Sequence, residues 1–395
     1  MTKQRLAIVA SHPIQYQDPF FRLLARESEI DLTVLYCSRH GAETYRDEDM
    51  GTTMRWDIEM LHGYRFEFLR NFGRNPNTGY ARLINPGIVP ALMGNKYDAV
   101  IFMLGWGSVS ALLGIAACRI ARIPFFIFGD SSFPPPEETA RVRLRAGLLR
   151  ALFALPTGFM TCGKLNADYY VHYGADPKTF FLLPWAVDNE RFATSCAMTA
   201  EERQELRARY ALDRDAVVLL FSAKLVERKD PMTLLRAYEM MKTRDRAVIV
   251  FMGDGVLRQP LEAYAREHGL SRGVRFTGFI NQSEIPRHYA MSDVFVLPSL
   301  YEPRGTVINE AMACGLPLIV TDRCGPIGDI VQDGDNAIVY PAGDAAALAA
   351  ALDRVVAGNA LRARMGERSR EIIAGWSHAR GVEGVREMLR WVRSQ

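Results

Sequence analysis

The feature that most narrows the fold is a rhythm that runs twice. Apolar runs of strand length alternate with segments of helix length. RLAIVA (5–10), DLTVLY (31–36), residues 64–69, DAVIFM (98–103) and PFFIF (124–128) read as strands, with helices expected over 16–27 and 108–119. The rhythm restarts with AVVLLFS (216–222), AVIVFM (247–252), residues 273–277, 293–297, 316–321 and 336–340. Helices are expected there over 231–241 and 257–268, from 305 to 313, and through the tail from about 344. Near-continuous apolar strands separated by helices imply parallel sheets covered on both faces. Pro231 suits the first turn of its helix, where a missing N–H costs nothing. Two series in 395 residues imply two similar α/β domains, because a single core stops growing at smaller sizes. The expected division is 1–188, 189–375, and a C-terminal helix over 376–395 returning to the first domain. Pro134, Pro135 and Pro136 read as rigid local punctuation rather than a linker.

Composition excludes several classes. Apolar residues make up 49% of the chain and charged residues 24%, which argues against a disordered chain. Forty-eight basic against 45 acidic residues leave a net charge of +3, too small for a general nucleic-acid binder. Six cysteines without a CxxC pair are too sparse for a disulfide scaffold, so six free thiols in a reducing compartment are expected. The apolar run after the N-terminal charges is too short for a signal peptide, and no run reaches a membrane-spanning length. The expected location is cytoplasmic, with the inner face of the cell membrane as a variant of it.

Chemistry concentrates in the second series. The stretch PSLYEPRGTVINEAMACGLPLIV (298–320) follows a strand. Glu302 falls in the loop at that strand's carboxyl end, and Gly305 and Thr306 fall where the next helix begins. Ligands of open parallel sheets sit at strand carboxyl ends, and a helix start offers free N–H groups to an anion. Glu310 lies one turn after Thr306 on the same helix face. Lys224 and Lys229 occupy the connection after AVVLLFS and supply the positive charge a phosphate requires. Gly253, Asp254 and Gly255 end the next strand, where small residues admit a ligand closely. Gly278, Phe279 and Ile280 follow another strand and present backbone groups suited to a base. Each residue alone has a commoner explanation as solvated charge or a turn. Their placement on strand ends of one domain points to an anion site, not yet to a reaction.

The same residues carry a resemblance. Glu302-Pro303-Arg304-Gly305, then Glu310-Ala311-Met312-Ala313, Gly315, Pro317 and Ile319 resemble the motif of the retaining glycosyltransferases of family 4. AKLVERKD (223–230) is similar to that family's phosphate-binding segment, and PWAVDNERF (184–192) to its hinge. The resemblance is strong over about 180–375 and extends to the layout of the whole chain. It implies a GT-B fold, two Rossmann-like domains facing across a cleft. It also implies a sugar moved from a nucleoside-diphosphate donor to a hydroxyl acceptor, with the donor as co-substrate and neither cofactor nor metal. In that frame Lys224 and Lys229 contact the diphosphate, and Glu302 contacts the donor sugar. Gly305, Thr306 and Val307 offer amides, Glu310 receives the ribose hydroxyls, and Gly253 and Asp254 line the sugar–phosphate region. Three departures stand out. Lys224 replaces an Arg, Arg304 replaces a frequent Phe, and Trp185-Ala186 replace Asn-Gly. Arg304 is expected against donor or acceptor.

The resemblance also places the loop after the first strand near donor and acceptor, which brings in His12, Gln15 and Tyr16. His12 reads as a group that positions a hydroxyl or phosphate, or as a plain surface histidine. Trp106 reads as an acceptor platform or as core. Asp130, ending the fifth strand, reads as a group orienting the acceptor hydroxyl or as a turn residue. Residues 138–155 form a basic amphipathic segment with Arg141, Arg143, Arg145 and Arg150. It suits anionic lipid, or equally a helix packed on its sheet with arginines reaching water. The expected partners are a UDP-, GDP- or ADP-sugar and a glycan or lipid-linked acceptor in cell-envelope polysaccharide assembly. A nucleotide-sugar epimerase, a pyridoxal-phosphate-dependent phosphorylase or a non-catalytic sugar-nucleotide binder are the alternatives.

Overall fold

A computed structural model describes residues 3–47, 53–73, 83–133 and 139–395. Pro134, Pro135, Pro136 and Glu138 lie outside them. The chain divides into two units. The first comprises Met1–Tyr45, Ile58–Ala186 and Ser377–Gln395, and the second Arg46–Asp57 and Val187–Trp376. The main boundaries fall at 186/187 and 376/377, against 188/189 and 375/376 from the sequence. The excursion of Arg46–Asp57 into the second unit is marked by nothing in the sequence.

The first unit holds a seven-stranded parallel sheet. Its order is Arg65–Phe68, Ile30–Tyr36, Gln4–Ala10, Ala99–Met103, Phe125–Phe128, Gly158–Thr161 and Phe180–Leu182. Period-two alternation splits the strands between two cores. Ala7, Val9, Val100 and Phe102 face one core, with Ala111, Ile115, Leu149 and Phe153 from the helices Val109–Ala121 and Ala140–Phe153. Leu6, Ile8, Ala10 and Ile101 face the other, with Phe20, Phe21 and Leu24 from the helix Asp18–Ala25. Val382, Val385, Met388 and Leu389 of the last helix, His378–Arg393, complete that second core. Their spacing puts one apolar stripe on the sheet, each such side chain contributing about 1.5–3 kcal/mol when fully buried. Trp185 belongs to this core as well, its ring 4.7 Å from Phe128 and edge-on to Tyr16 at 5.6 Å. The strand Gly158–Thr161 was not foreseen, because a four-residue run beginning with glycine carries little periodicity.

The second unit holds a six-stranded parallel sheet in the order Val274–Gly278, Ala247–Met252, Val217–Ser222, Val294–Leu297, Leu318–Thr321 and Ala337–Tyr340. The strand order therefore reverses between Val217–Ser222 and Val294–Leu297. The crevice at such a reversal is where doubly wound sheets bind ligands. The base of this junction is held by a buried network. Asp293 accepts from Arg207 at 2.6 Å, from Arg203 at 2.8 Å and from the Val218 amide at 2.7 Å. Arg207 further donates to three backbone carbonyls, which is how a guanidinium only 2% exposed is accommodated.

The expectation of six free thiols is corrected here. Cys196 and Cys314 form a disulfide, while Cys37, Cys118, Cys162 and Cys324 are free and buried. Each bonded cysteine terminates a helix, Asn189–Ser195 and Thr306–Ala313 respectively, and 118 residues separate them. Sequence spacing carries no sign of a pair formed by helix packing. Among the described residues no helix is long and apolar enough to cross a membrane.

Candidate functional site

The strand Val217–Ser222 ends in the connection that carries Lys224 and Lys229. A short 3-10 turn, Glu227–Lys229, closes it, and Asp230 caps the helix Pro231–Met240 by accepting the Thr233 amide at 3.3 Å. The neighbouring strand, Val294–Leu297, ends in the loop that carries Glu302. The two loops are laced together at the reversal point. The Leu300 amide donates to the Arg228 carbonyl at 3.0 Å, and the Arg228 guanidinium donates to the Tyr301 carbonyl at 3.1 Å. This lacing brings Lys229 and Glu302 into an ion pair.

Both members are largely out of water, with side chains 12% and 7% exposed. The second carboxylate oxygen of Glu302 accepts the Gly305 amide at 3.1 Å. The backbone of Glu302 is pinned too, its amide on the Arg323 carbonyl at 3.0 Å and its carbonyl on the Gly325 amide at 2.7 Å. Glu302 is therefore a rigid, oriented carboxylate. Gly305 adopts φ +59°, ψ 41°, a left-handed conformation that a side chain resists, and it starts the helix Thr306–Ala313. A glycine at that position has no side chain with which to cap the helix, and the first-turn amides, those of Thr306 and Val307 among them, have no partner within the helix. Lys229, Glu302 and this helix start together make a compact corner whose groups suit an anion and a hydroxyl.

The next strand contributes a wall. The Gly253-Asp254-Gly255 segment lies directly on the Lys224 loop. The Leu225 amide donates to the Asp254 carbonyl at 2.9 Å, and a Cβ on Gly253 would stand 2.1 Å from the Ala223 carbonyl oxygen. Only glycine permits that approach. The Asp254 carboxylate is engaged by its own turn, accepting the Gly255 amide at 2.8 Å and the Arg258 guanidinium at 2.9 Å. It is thus a structural group of the wall rather than a charge directed at a ligand. Gly278 pairs with Gly253, its carbonyl accepting the Gly253 amide at 3.0 Å, and Phe279 and Ile280 follow it.

Glu310 sits deeper on the same helix. Tyr289, fully buried, donates to its carboxylate at 2.9 Å. Burial pushes the Glu310 carboxyl up to about 7, opposed by the tyrosine hydrogen bond and by the charge of Arg191. Beneath Glu302, burial and the nearby carboxylate raise the Cys324 thiol to about 12, so it is an inert packing group. Tyr289 and Arg191 were missed from sequence, because neither lies in a spaced motif. Among the described residues no three His, Cys, Asp or Glu side chains are grouped as a metal site.

Lys224 has a partner that the sequence did not suggest. Its ammonium meets both carboxylate oxygens of Asp47 at 3.0 and 2.9 Å. Asp47 belongs to the Arg46–Asp57 excursion, which the second unit incorporates. Residues 55–57 of that segment dock nearby. Asp57 accepts the Ser283 amide at 3.1 Å, the Arg55 carbonyl accepts Asn281 at 2.8 Å, and Trp56 lies 6.4 Å from Phe279.

In the first unit His12 and Asp130 follow the carboxyl ends of Gln4–Ala10 and Phe125–Phe128, separated in the sheet by Ala99–Met103. The His12 ring nitrogen Nδ1 pairs with the Ser11 hydroxyl at 2.9 Å, and its ring packs edge-on to His40 at 5.3 Å. His40 in turn lies 4.2 Å from the Tyr45 ring. Trp106 is partly buried and packs against the core, edge-on to Phe153 at 6.0 Å. Arg304 is half-buried at the start of the Gly305 turn.

Residues 202–372 match the family profile described as glycosyl transferases group 1. Over 169 residues the chain is 36% identical to the lipopolysaccharide core biosynthesis glycosyltransferase LpsE of Rhizobium meliloti, covering 43% of this chain and 48% of that protein. It is 35% identical over 196 residues to a D-inositol 3-phosphate glycosyltransferase of Geodermatophilus obscurus, covering 47% and 42%. The chain thus spans about half the length of the curated relatives it matches. The crystal structure of Anabaena Alr3699/HepE in complex with UDP superposes with a TM-score of 0.75, covering 98% of this chain and 99% of that one at 16% identity. This likeness bears on fold, which is GT-B.

Proposed function

We propose that this chain, whose residues 202–372 match the profile of the group 1 glycosyl transferases, is a member of that family that transfers a sugar from a nucleoside diphosphate to a hydroxyl of a cell-envelope glycan or lipid-linked glycan with retention of anomeric configuration. The observation that carries this reading is the corner made by Lys229, Glu302 and the helix start at Gly305. It places a cation, an oriented carboxylate and backbone donors at the sheet's reversal point, as a sugar joined to phosphate requires. LpsE, whose name refers to lipopolysaccharide core biosynthesis, supports the choice of acceptor class.

In the proposed reaction the glycosidic C–O bond to the β-phosphate breaks and negative charge grows on the leaving diphosphate. Lys224, Lys229 and the amides of Thr306 and Val307 stabilise that charge, and they are in place before the reaction begins. Glu302, held by Lys229 and the Gly305 amide, orients sugar hydroxyls. Glu310 accepts the ribose hydroxyls, and Gly278–Ile280 border the base. The acceptor hydroxyl attacks the oxocarbenium-like carbon from the face the diphosphate leaves. Its proton passes to that leaving phosphate. The phosphate charge is met by the lysines in this account, so no metal enters the step. The Ala140–Phe153 helix is the proposed contact with an anionic membrane surface.

The test is turnover of UDP-, GDP- and ADP-sugars with an extract of envelope glycans as acceptor, with the anomer of the product read by NMR. Transfer with retained configuration supports the reading. Release of free nucleotide with an epimerised sugar and no transfer favours the epimerase. A protein that binds the donors but never turns them over is the non-catalytic binder.

A further inference from the structure

We infer that Asp47 is a displaceable counter-ion of the donor site, standing on Lys224 where the donor diphosphate binds. The inference rests on the reading above for the identity of the ligand, and on the following geometry for the role of Asp47. Lys224 leaves the strand that borders the reversal point, on the same connection as Lys229. Lys229 already has a carboxylate partner from within the site, Glu302. Lys224 takes its carboxylate from elsewhere, a residue 177 positions earlier, and that carboxylate bridges the ammonium with both oxygens. The pair is unevenly wet. Asp47 is 11% exposed at its side chain and Lys224 39%. Asp47 thus presents a largely desolvated charge to a lysine that still faces solvent, and a diphosphate approaching that lysine must compete with the carboxylate for the same ammonium.

Asp47 is not there by loose association. Downstream residues of the same excursion are tied to the second unit by three hydrogen bonds. The Asp57 carboxylate takes both the amide and the hydroxyl of Ser283, and the Arg55 carbonyl takes Asn281. Met54 is buried between them in sequence. Trp56 beside Phe279 sets the segment against the wall proposed to border the base. The segment is therefore a part of the donor side of the molecule, although the chain reaches it from the other unit.

Two physical consequences follow. A bound diphosphate and the Asp47 carboxylate cannot both contact Lys224 without repulsion, so donor binding must break the pair. An ion pair whose lysine still faces water is weak, whereas a diphosphate brings more charge and takes Lys229 as well. The exchange therefore runs toward the ligand when nucleotide is present and back toward Asp47 when the product diphosphate leaves. Asp47 lowers affinity for the whole class of nucleoside diphosphates and keeps Lys224 from holding the product.

The experiment is calorimetric binding of UDP, GDP and ADP to the full chain and to its variants. Asp47→Asn is expected to lower the Kd of whichever nucleotide binds by about three- to tenfold, the repulsion adding to the lost pair. Asp47→Glu, which keeps the charge, should remain within about twofold of the wild type. In a Lys224→Ala background, where only the repulsion is left, the effect of Asp47→Asn should shrink to about twofold or less. Equal Kd values for wild type and Asp47→Asn, or the same tightening in the Lys224→Ala background, overturn the inference. Failure of all three nucleotides to bind any folded variant overturns the donor-site reading itself, and this inference with it.

Discussion

Lys229 and Glu302 are joined as an ion pair across 73 residues, each from a different loop of the same sheet reversal, and the pair is nearly dry. This one contact fixes the carboxylate that the proposed reaction uses to hold the sugar. It also couples the cation proposed for the phosphate to the carboxylate proposed for the sugar, so that neither can be altered alone without cost. Lys229→Met is expected to leave a buried carboxylate unpaired and to destabilise the fold by about 3–5 kcal/mol, since removing one partner of a buried pair is far worse than removing both. The double variant Lys229→Met/Glu302→Gln should recover much of that loss. Denaturant melts of the two variants beside the wild type check it, and a double variant no more stable than the single one would show that the pair is not what holds the loops.

On the same geometry, Glu302→Gln keeps the shape and removes the charge, and it leaves the Lys229 ammonium without its anion, so the melting temperature is expected to fall as well. Turnover, compared at a temperature where the variant is folded, is expected to fall by at least about 10²-fold, as expected where preorganised charge supports the transition state. Initial rates at saturating donor measure it. Undiminished kcat would remove Glu302 from the sugar site.

Glu310 gives a pH prediction. Its folded carboxyl titrates near 7 and its unfolded one near 4.5, so between these values the folded chain holds a proton that the unfolded chain has lost. Stability attached to that proton is complete below about pH 4.5 and is lost as pH rises to about 7, amounting to at most about 3 kcal/mol. Glu310→Gln should therefore gain stability over the wild type as pH rises from 5 to 8, and thermal melts across that range check the sign. Ribose hydroxyls that donate to the carboxylate favour its ionised form, so nucleotide affinity of the wild type should strengthen over the same interval. A flat pH dependence in both measurements would show that Glu310 is ionised throughout.

How much of this was legible in the sequence depends on how local the signal is. The strands at 217–222, 247–252 and 294–297 are short apolar runs bounded by glycine, proline or charge, and their residues announce them. Lys224, Lys229, Glu302 and Glu310 were legible because strand ends and helix starts bring them together through local connections. Their partners were not. Asp47 reaches Lys224 over 177 residues, and Tyr289 reaches Glu310 from a helix without a spaced motif. The Cys196–Cys314 bond depends on how two helices pack, which a spacing of 118 residues cannot express. Trp106 illustrates the opposite limit. An aromatic after a strand end looks like a sugar platform until its ring is seen against Phe153.

The disulfide makes a direct prediction about thiol content. Cys37, Cys118, Cys162 and Cys324 are free and buried, so the denatured but unreduced protein should titrate four thiols, and six after reduction. Reduction, or the Cys196→Ser/Cys314→Ser variant, should lower stability by about 2–4 kcal/mol, the usual range for a bond closing a long loop. Because Cys314 ends the helix that starts at Gly305, nucleotide binding measured on the same reduced sample reports whether the bond also steadies the site. Six thiols without reductant would show that the bond does not form under the conditions of purification.

The Ala140–Phe153 helix divides its surface sharply. Ala146, Leu149 and Phe153 are buried in the first unit's core, which satisfies the ordinary reading of a helix on its sheet. Leu144 and Leu148 are nevertheless 68% and 65% exposed, one turn apart, with Arg141, Arg143, Arg145 and Arg150 exposed around them. Two leucines on the wet side contribute nothing to the core, whereas together with the arginines they suit the interface of an anionic bilayer. The protein is expected to co-sediment with vesicles containing phosphatidylglycerol and to stay in solution with vesicles of phosphatidylcholine alone. Leu144→Glu/Leu148→Glu should abolish the first result without lowering the melting temperature, since neither side chain is packed. Raising salt from 50 to 500 mM should weaken binding by screening the arginines, about an order of magnitude for several surface charges. Equal sedimentation of the wild type and the double variant would return the helix to a purely structural role.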